Sequence, residues 1–108
     1  MLVQREVTAR DVDRFLLQLQ RTLGNRRASE WTGLIVPRRD NQVEVGLAPR
    51  DANLRALRSK FAASREGAKV LRELEAPRDD ETLTVLVAAP SGWVVLRHRL
   101  SLVRLPGN

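Results

Sequence analysis

The side chains in this chain with the most chemistry to offer are its arginines. In the stretch GWVVLRHRLSLVRL, residues 92–105, Arg97 and Arg99 flank the single histidine of the chain, His98, and Trp93 precedes them. Read as a β-strand, this segment alternates its side chains between two faces. Trp93, Val95, Arg97, Arg99, Ser101 and Val103 then share one face, and Val94, Leu96, His98, Leu100 and Leu102 share the other. Trp93, Arg97 and Arg99 thus put an aromatic plane and two guanidinium groups in one row, a set able to stack a base and hold phosphates. The competing account is an ordinary polar, solvent-facing sheet surface with Trp93 packed beside the turn.

Further arginines fall in loops. Arg38 and Arg39 lie in PRRD, and Arg26 and Arg27 lie in GNRRASEW. A third group, Arg55, Arg58, Lys60, Arg65, Lys69 and Arg72, decorates a helical segment, where acidic neighbours such as Glu66 and Glu73 make a solvated face the plainer explanation. The formal net charge is +6, the pI is near 11.3, and all nineteen basic residues except Lys60 and Lys69 are arginine. Arginine forks match phosphate and carboxylate in bidentate geometry, which points to an anionic partner. A coding bias that writes arginine where lysine would serve gives the same composition, so clustering in space is what separates the two accounts.

Other chemistries are poorly supplied. The chain has no cysteine and no tyrosine, which excludes disulfides, thiol nucleophiles and cysteine-ligated metals. His98 sits in an apolar row and is expected to be structural, with a ring nitrogen bonded to backbone or to a neighbour. Glu30, Asp40 and Glu44 lack the surrounding groups of a metal-dependent nuclease, and Asp79, Asp80 and Glu81 lack the spacing of a calcium loop. Phosphate-binding loops, dinucleotide-binding glycine patterns and nucleophile elbows are absent from the sequence. Neither catalysis nor a cofactor is expected.

The elements that must position these residues follow from periodicity. LVQREV, residues 2–7, is a weak first strand. Thr8 and Asp11 open a helix carrying Val12, Phe15, Leu16, Leu19 and Leu23 at helical spacing, and Gly24 and Asn25 close it. Runs around 34–36 and 43–47 make a hairpin, with Val43, Val45 and Leu47 on its apolar face. A helical pattern runs from an N-cap at Asp51 to Glu75, with a kink or break in ASREGAK, and Pro77 ends it. TLTVLVAA, residues 82–89, pairs with the arginine-bearing strand through PSG, and the terminal LPGN is expected to fray.

The expected architecture is one α+β domain over residues 1–108. Its order is β(weak)-α-β-β-α-β-β, an antiparallel sheet of four to five strands with two helices on one face, and a ferredoxin-like sandwich is one arrangement of that order. The charged opening stretch lacks the uninterrupted apolar core of a signal peptide or spanning helix, so a cytoplasmic protein without a membrane partner is expected. On function, the expectation is a small non-enzymatic domain that binds nucleic-acid phosphate, DNA or RNA, through Arg26, Arg27, Arg38, Arg39, Trp93, Arg97 and Arg99. The alternative is a protein-interaction module, an adaptor, inhibitor or assembly subunit meeting an acidic protein. A homodimer through strand edges is compatible with both.

Overall fold

The computed structural model describes residues 8–89 and 92–100. Helix α1, Ala9–Leu23, begins at Thr8, whose hydroxyl accepts from the Asp11 N–H while its own N–H donates to the Asp11 carboxylate. This reciprocal capping box satisfies two of the amides that a helix start leaves free. Gly24 ends the helix with φ near 61°, a conformation that favours glycine. A single 3₁₀ turn, Ala28–Glu30, then leads into strand β1, Trp31–Pro37, which pairs antiparallel with β2, Val43–Pro49. The turn between them holds Asp40 and Asn41 at positive φ, as expected of these residue types in a tight hairpin connection.

The second helical stretch is two helices. Helix α2, Arg50–Ala62, follows Pro49 directly, so Asp51 lies in the first turn rather than at the N-cap, where its charge still opposes the positive end of the helix dipole. Helix α3, Arg65–Glu75, starts anew at Ser64, whose hydroxyl accepts from the Gly67 N–H. The break falls within ASREGAK because residues there favour a new cap over a continuous helix. Strands β3, Thr82–Ala89, and β4, Gly92–Arg99, form the second antiparallel hairpin.

The sheet order is β2-β1-β3-β4, and the central pair β1 and β3 runs parallel. The sheet is therefore mixed, where a purely antiparallel one was expected. The two-helices-on-one-face arrangement is also corrected, since the three helices cover both faces. On one face α1 buries Leu19 and Leu23 against Ile35, Leu83, Val85 and Val87. On the other, Leu54 and Phe61 of α2 and Leu71 and Leu74 of α3 pack on Leu34, Leu86, Trp93 and Val95. The cause is visible in β3, where every residue from Leu83 to Val87 is buried. A strand apolar at both parities needs cover on both sides. Gly33 permits the close seat of α1, because a Cβ there would come within 3.0 Å of Leu19 and 3.1 Å of Val85.

This arrangement does not bear out a ferredoxin-like sandwich. The weak strand at residues 2–7 and the terminal LPGN lie outside the described residues. No helix among the described residues is long and apolar enough to cross a membrane.

Candidate anion-binding site

Because β1 and β3 run parallel and β2 and β4 oppose them, four chain segments meet at one end of the sheet: the approach to Trp31, the Pro49-Arg50 junction, the 76–81 connection and the end of β4. Arg26, Arg27, Arg50, Arg78, Arg97 and Arg99 all belong to these segments. The strand registers align Ala48, Thr32, Thr84 and Arg97 in one row across the sheet, on the face covered by α2 and α3. Thr32 and Thr84 are buried while Arg97 is exposed at the edge. This polar row marks where the apolar core beneath α2 and α3 stops.

The six arginines differ in what neutralises them. Arg27 Nε lies 4.0 Å from the Asp80 carboxylate, and Arg99 lies 3.5 Å from Glu81. Arg26 stacks its guanidinium 5.2 Å from the ring centre of Trp31. Arg50 donates from Nη2 to three carbonyls at the C-terminus of α3, those of Leu74, Glu75 and Ala76, at 3.3, 2.9 and 3.0 Å. The partial negative charge at a helix C-terminus suits a cation there. Arg78 donates to the carbonyls of Pro77 and Glu73 at 2.7 and 3.2 Å. The Arg97 side chain makes no hydrogen bond or ion pair with the described residues.

No carboxylate among the described residues is bridged to Arg50, Arg78 or Arg97, and Arg78 lies within electrostatic reach of the other two. The Arg78 guanidinium is lowered from the ordinary arginine range, first by burial and then by the positive charges of Arg97 and Arg50, with Glu73 acting in the opposite sense. It stays a cation, since arginine does not deprotonate in proteins. Two buried donors among the described residues lack an acceptor, Arg78 Nε and Asn53 Nδ2. Asn53 lies three residues beyond Arg50 on α2, on the same side of that helix.

The acidic turn at the same end is engaged in structure. Asp79 accepts from the Thr82 side chain and from the Glu81 N–H, and these bonds hold its carboxyl below the usual range. Asp80 accepts from the Ser29 hydroxyl as well as facing Arg27. Among the described residues no group of three histidine, cysteine or acidic side chains is placed to hold a metal.

The sequence grouping of Arg26, Arg27, Arg38, Arg39, Trp93, Arg97 and Arg99 is divided by this geometry. Arg38 and Arg39 sit in the β1-β2 turn at the opposite end, about 20 Å away along strands of seven residues. Arg38 is paired there with Glu44 across the hairpin. Trp93 does share its face with Arg97 and Arg99, but that face is not open. Its indole packs 5.7 Å from Phe61 beneath α2, with Lys60 Nζ 5.7 Å above the ring. Trp93 is thereby a core contact, about 13 Å along the strand from Arg97. Arg50, Arg78 and Asn53 were missed, because a helix-opening arginine and an arginine in PRDD carry no local mark of the helix end they meet. The nearest signal was Pro77, which stops α3 and so fixes where exposed carbonyls must lie. Compared with known proteins, the chain matches no family model, no curated protein and no solved structure.

Proposed function

We propose that this is a non-enzymatic domain that binds nucleic acid through its phosphates, at the end of the sheet where six arginines gather. The observation that supports the reading best is the trio Arg50, Arg78 and Arg97, whose charges face neutral carbonyls or solvent instead of carboxylates. Like charges held together this way are relieved by an anion. Arg26 extends the positive surface, Arg27 and Arg99 being paired with Asp80 and Glu81, and the net charge of +6 adds a long-range attraction. Affinity from this source carries little sequence preference, because phosphates position a protein without reporting the base.

The test is fluorescence anisotropy of labelled single-stranded and duplex oligonucleotides, DNA and RNA, titrated with the intact protein from low to physiological salt. Binding is expected to weaken linearly as log affinity against log salt, with a slope of about −3 if three or four phosphates are neutralised. Arg97→Glu should weaken binding several-fold more than Arg39→Glu, which changes the same charge at the far end. Equal effects of the two variants would mean that only net charge matters. Absence of binding even at low salt would turn the reading toward an acidic protein partner.

A further inference from the structure

We infer that Arg26 and Trp31 form a stacking platform for an unpaired nucleobase, so that the nucleic acid bound at this end of the sheet is single-stranded. The inference rests on the phosphate reading above and adds to it a contact with the base. The Arg26 guanidinium stands over the indole of Trp31, 5.2 Å from the ring centre. Arg26 is exposed, and its side chain makes no hydrogen bond or ion pair with the described residues. Asp80, the acid bonded to this segment, is already engaged by Ser29 and Arg27. The indole thus backs a cation that meets solvent and that no carboxylate neutralises.

The backbone fixes the pair. Gly24, at positive φ, turns the chain out of α1, and the Arg26 N–H donates to the Leu23 carbonyl at 3.2 Å. The turn Ala28–Glu30 then leads into β1, where the Trp31 N–H donates to the Ala28 carbonyl. Two bonds tie this segment to the connection before β3, from the Ala28 N–H to the Asp80 carbonyl at 3.2 Å and from the Ser29 hydroxyl to the Asp80 carboxylate. Trp31 is also the register partner of Pro49, the residue before Arg50. The platform therefore sits beside the segments that carry Arg50 and Arg78.

The chemistry of the ligand follows from these two groups. A guanidinium is a planar cation, and arginine planes and aromatic rings are the surfaces on which unpaired bases stack. A phosphate alone has no use for such a plane, and a duplex keeps its base faces stacked on one another. A single strand offers phosphates to the unpaired arginines and a splayed base to the platform, with little sequence preference because every base has a π-face. The other cation held over an aromatic ring, Lys60 on Trp93, does not repeat the arrangement. Phe61 packs on that indole beneath α2, and a lysine ammonium presents no plane.

The test compares a short thymidine strand with an abasic strand of the same length and phosphate count, each added to the intact protein at one low salt concentration. The thymidine strand should bind about tenfold more tightly, the scale of one stacked base. It should also shift the NMR signal of the Trp31 indole N–H, which the abasic strand should leave in place. Arg26→Lys keeps the charge at an exposed position and removes the plane, so it should bring the two strands to equal affinity. Arg39→Lys, at the far end of the sheet, should preserve the difference. Annealing a complementary strand to the thymidine probe should abolish the indole shift. Equal affinity of the two strands for the native protein, a preference that Arg26→Lys leaves unchanged, or an indole shift that persists with the duplex overturns the platform and leaves phosphate binding in place. No binding of either strand overturns the platform together with the phosphate reading.

Discussion

The phenyl ring of Phe61 on α2 stands 5.7 Å from the indole of Trp93 on β4, with the two planes tilted by 52°. This single contact ties the end of α2 to the edge strand and withdraws Trp93 from the surface its position in the strand suggested. Phe61 is almost fully buried. Phe61→Ala is therefore expected to cost about 3–5 kcal/mol of stability, measured by urea unfolding. In a Trp31→Phe background the remaining emission reports Trp93, and it should move to the red when the phenyl cover is removed. A loss below about 1 kcal/mol with unchanged emission would mean that Trp93 is held by something other than Phe61.

Gly67 gives a prediction whose sign opposes helix propensity. It lies in the first turn of α3, where alanine would ordinarily stabilise by about 1 kcal/mol. A Cβ there would lie 2.2 Å from the carbonyl oxygen of Phe61 and 2.9 Å from its carbonyl carbon. These are backbone atoms at the end of α2, so relief requires the α2-α3 corner to open. Gly67→Ala should lower the melting temperature, and a rise would contradict the close approach of the two helices. Ser64→Ala, which removes the N-cap of α3, should cost about 1 kcal/mol by itself.

Local structure was largely legible in the sequence, and its assembly was not. The Thr8-Asp11 cap, both hairpins and the interruption at ASREGAK are short-range features, each decided by a few adjacent residues. The parallel pairing of β1 with β3 is a contact between segments fifty residues apart, and no turn specifies it. The alternation that put Trp93, Arg97 and Arg99 on one face was right, yet the inference that this face is open failed. Leu71 and Leu74 of α3 need an apolar surface, and Leu34, Leu86 and Val95 supply it on that same side. A fully apolar run in β3 was the available sign of a strand covered on both faces. For the site, Arg97 was reachable from its strand, whereas Arg50 and Arg78 gain their meaning from carbonyls that only the folded chain brings to them.

His98 carries a pH dependence with a definite sign. It lies on the α1 side of β4, with Nε2 3.1 Å from the Gln20 side-chain oxygen, and burial lowers its pKa from the ordinary value. The unfolded imidazole takes its proton near pH 6.5, about the model-peptide value, before the folded one does. The unfolded state thus binds more protons over that interval, so stability is full above it and declines as pH falls through it. Urea unfolding at pH 7.5, 6.5 and 5.5 should show this decline in the native sequence and a flatter profile in His98→Gln. A native protein that gains stability on acidification over this range would show that the imidazolium is favoured in the fold, with Gln20 as the acceptor holding it.

Arg50 separates folding from binding at the shared end of the sheet. Its guanidinium satisfies three carbonyls at the C-terminus of α3, and these would otherwise turn to water or stay unpaired. Arg50→Ala should cost about 2 kcal/mol, the scale of hydrogen bonds from a charged donor. Arg50→Lys should recover only part of it, because the shorter lysine side chain carries its ammonium less far than Nη2 reaches. Arg55→Ala, five residues along on the exposed side of the same helix, should change stability by less than about 0.5 kcal/mol. If Arg50→Ala proves as mild as Arg55→Ala, the carbonyl contacts are incidental to folding and Arg50 is held in place chiefly for the anion. Melting temperatures of the three variants, each with and without phosphate, decide between those roles.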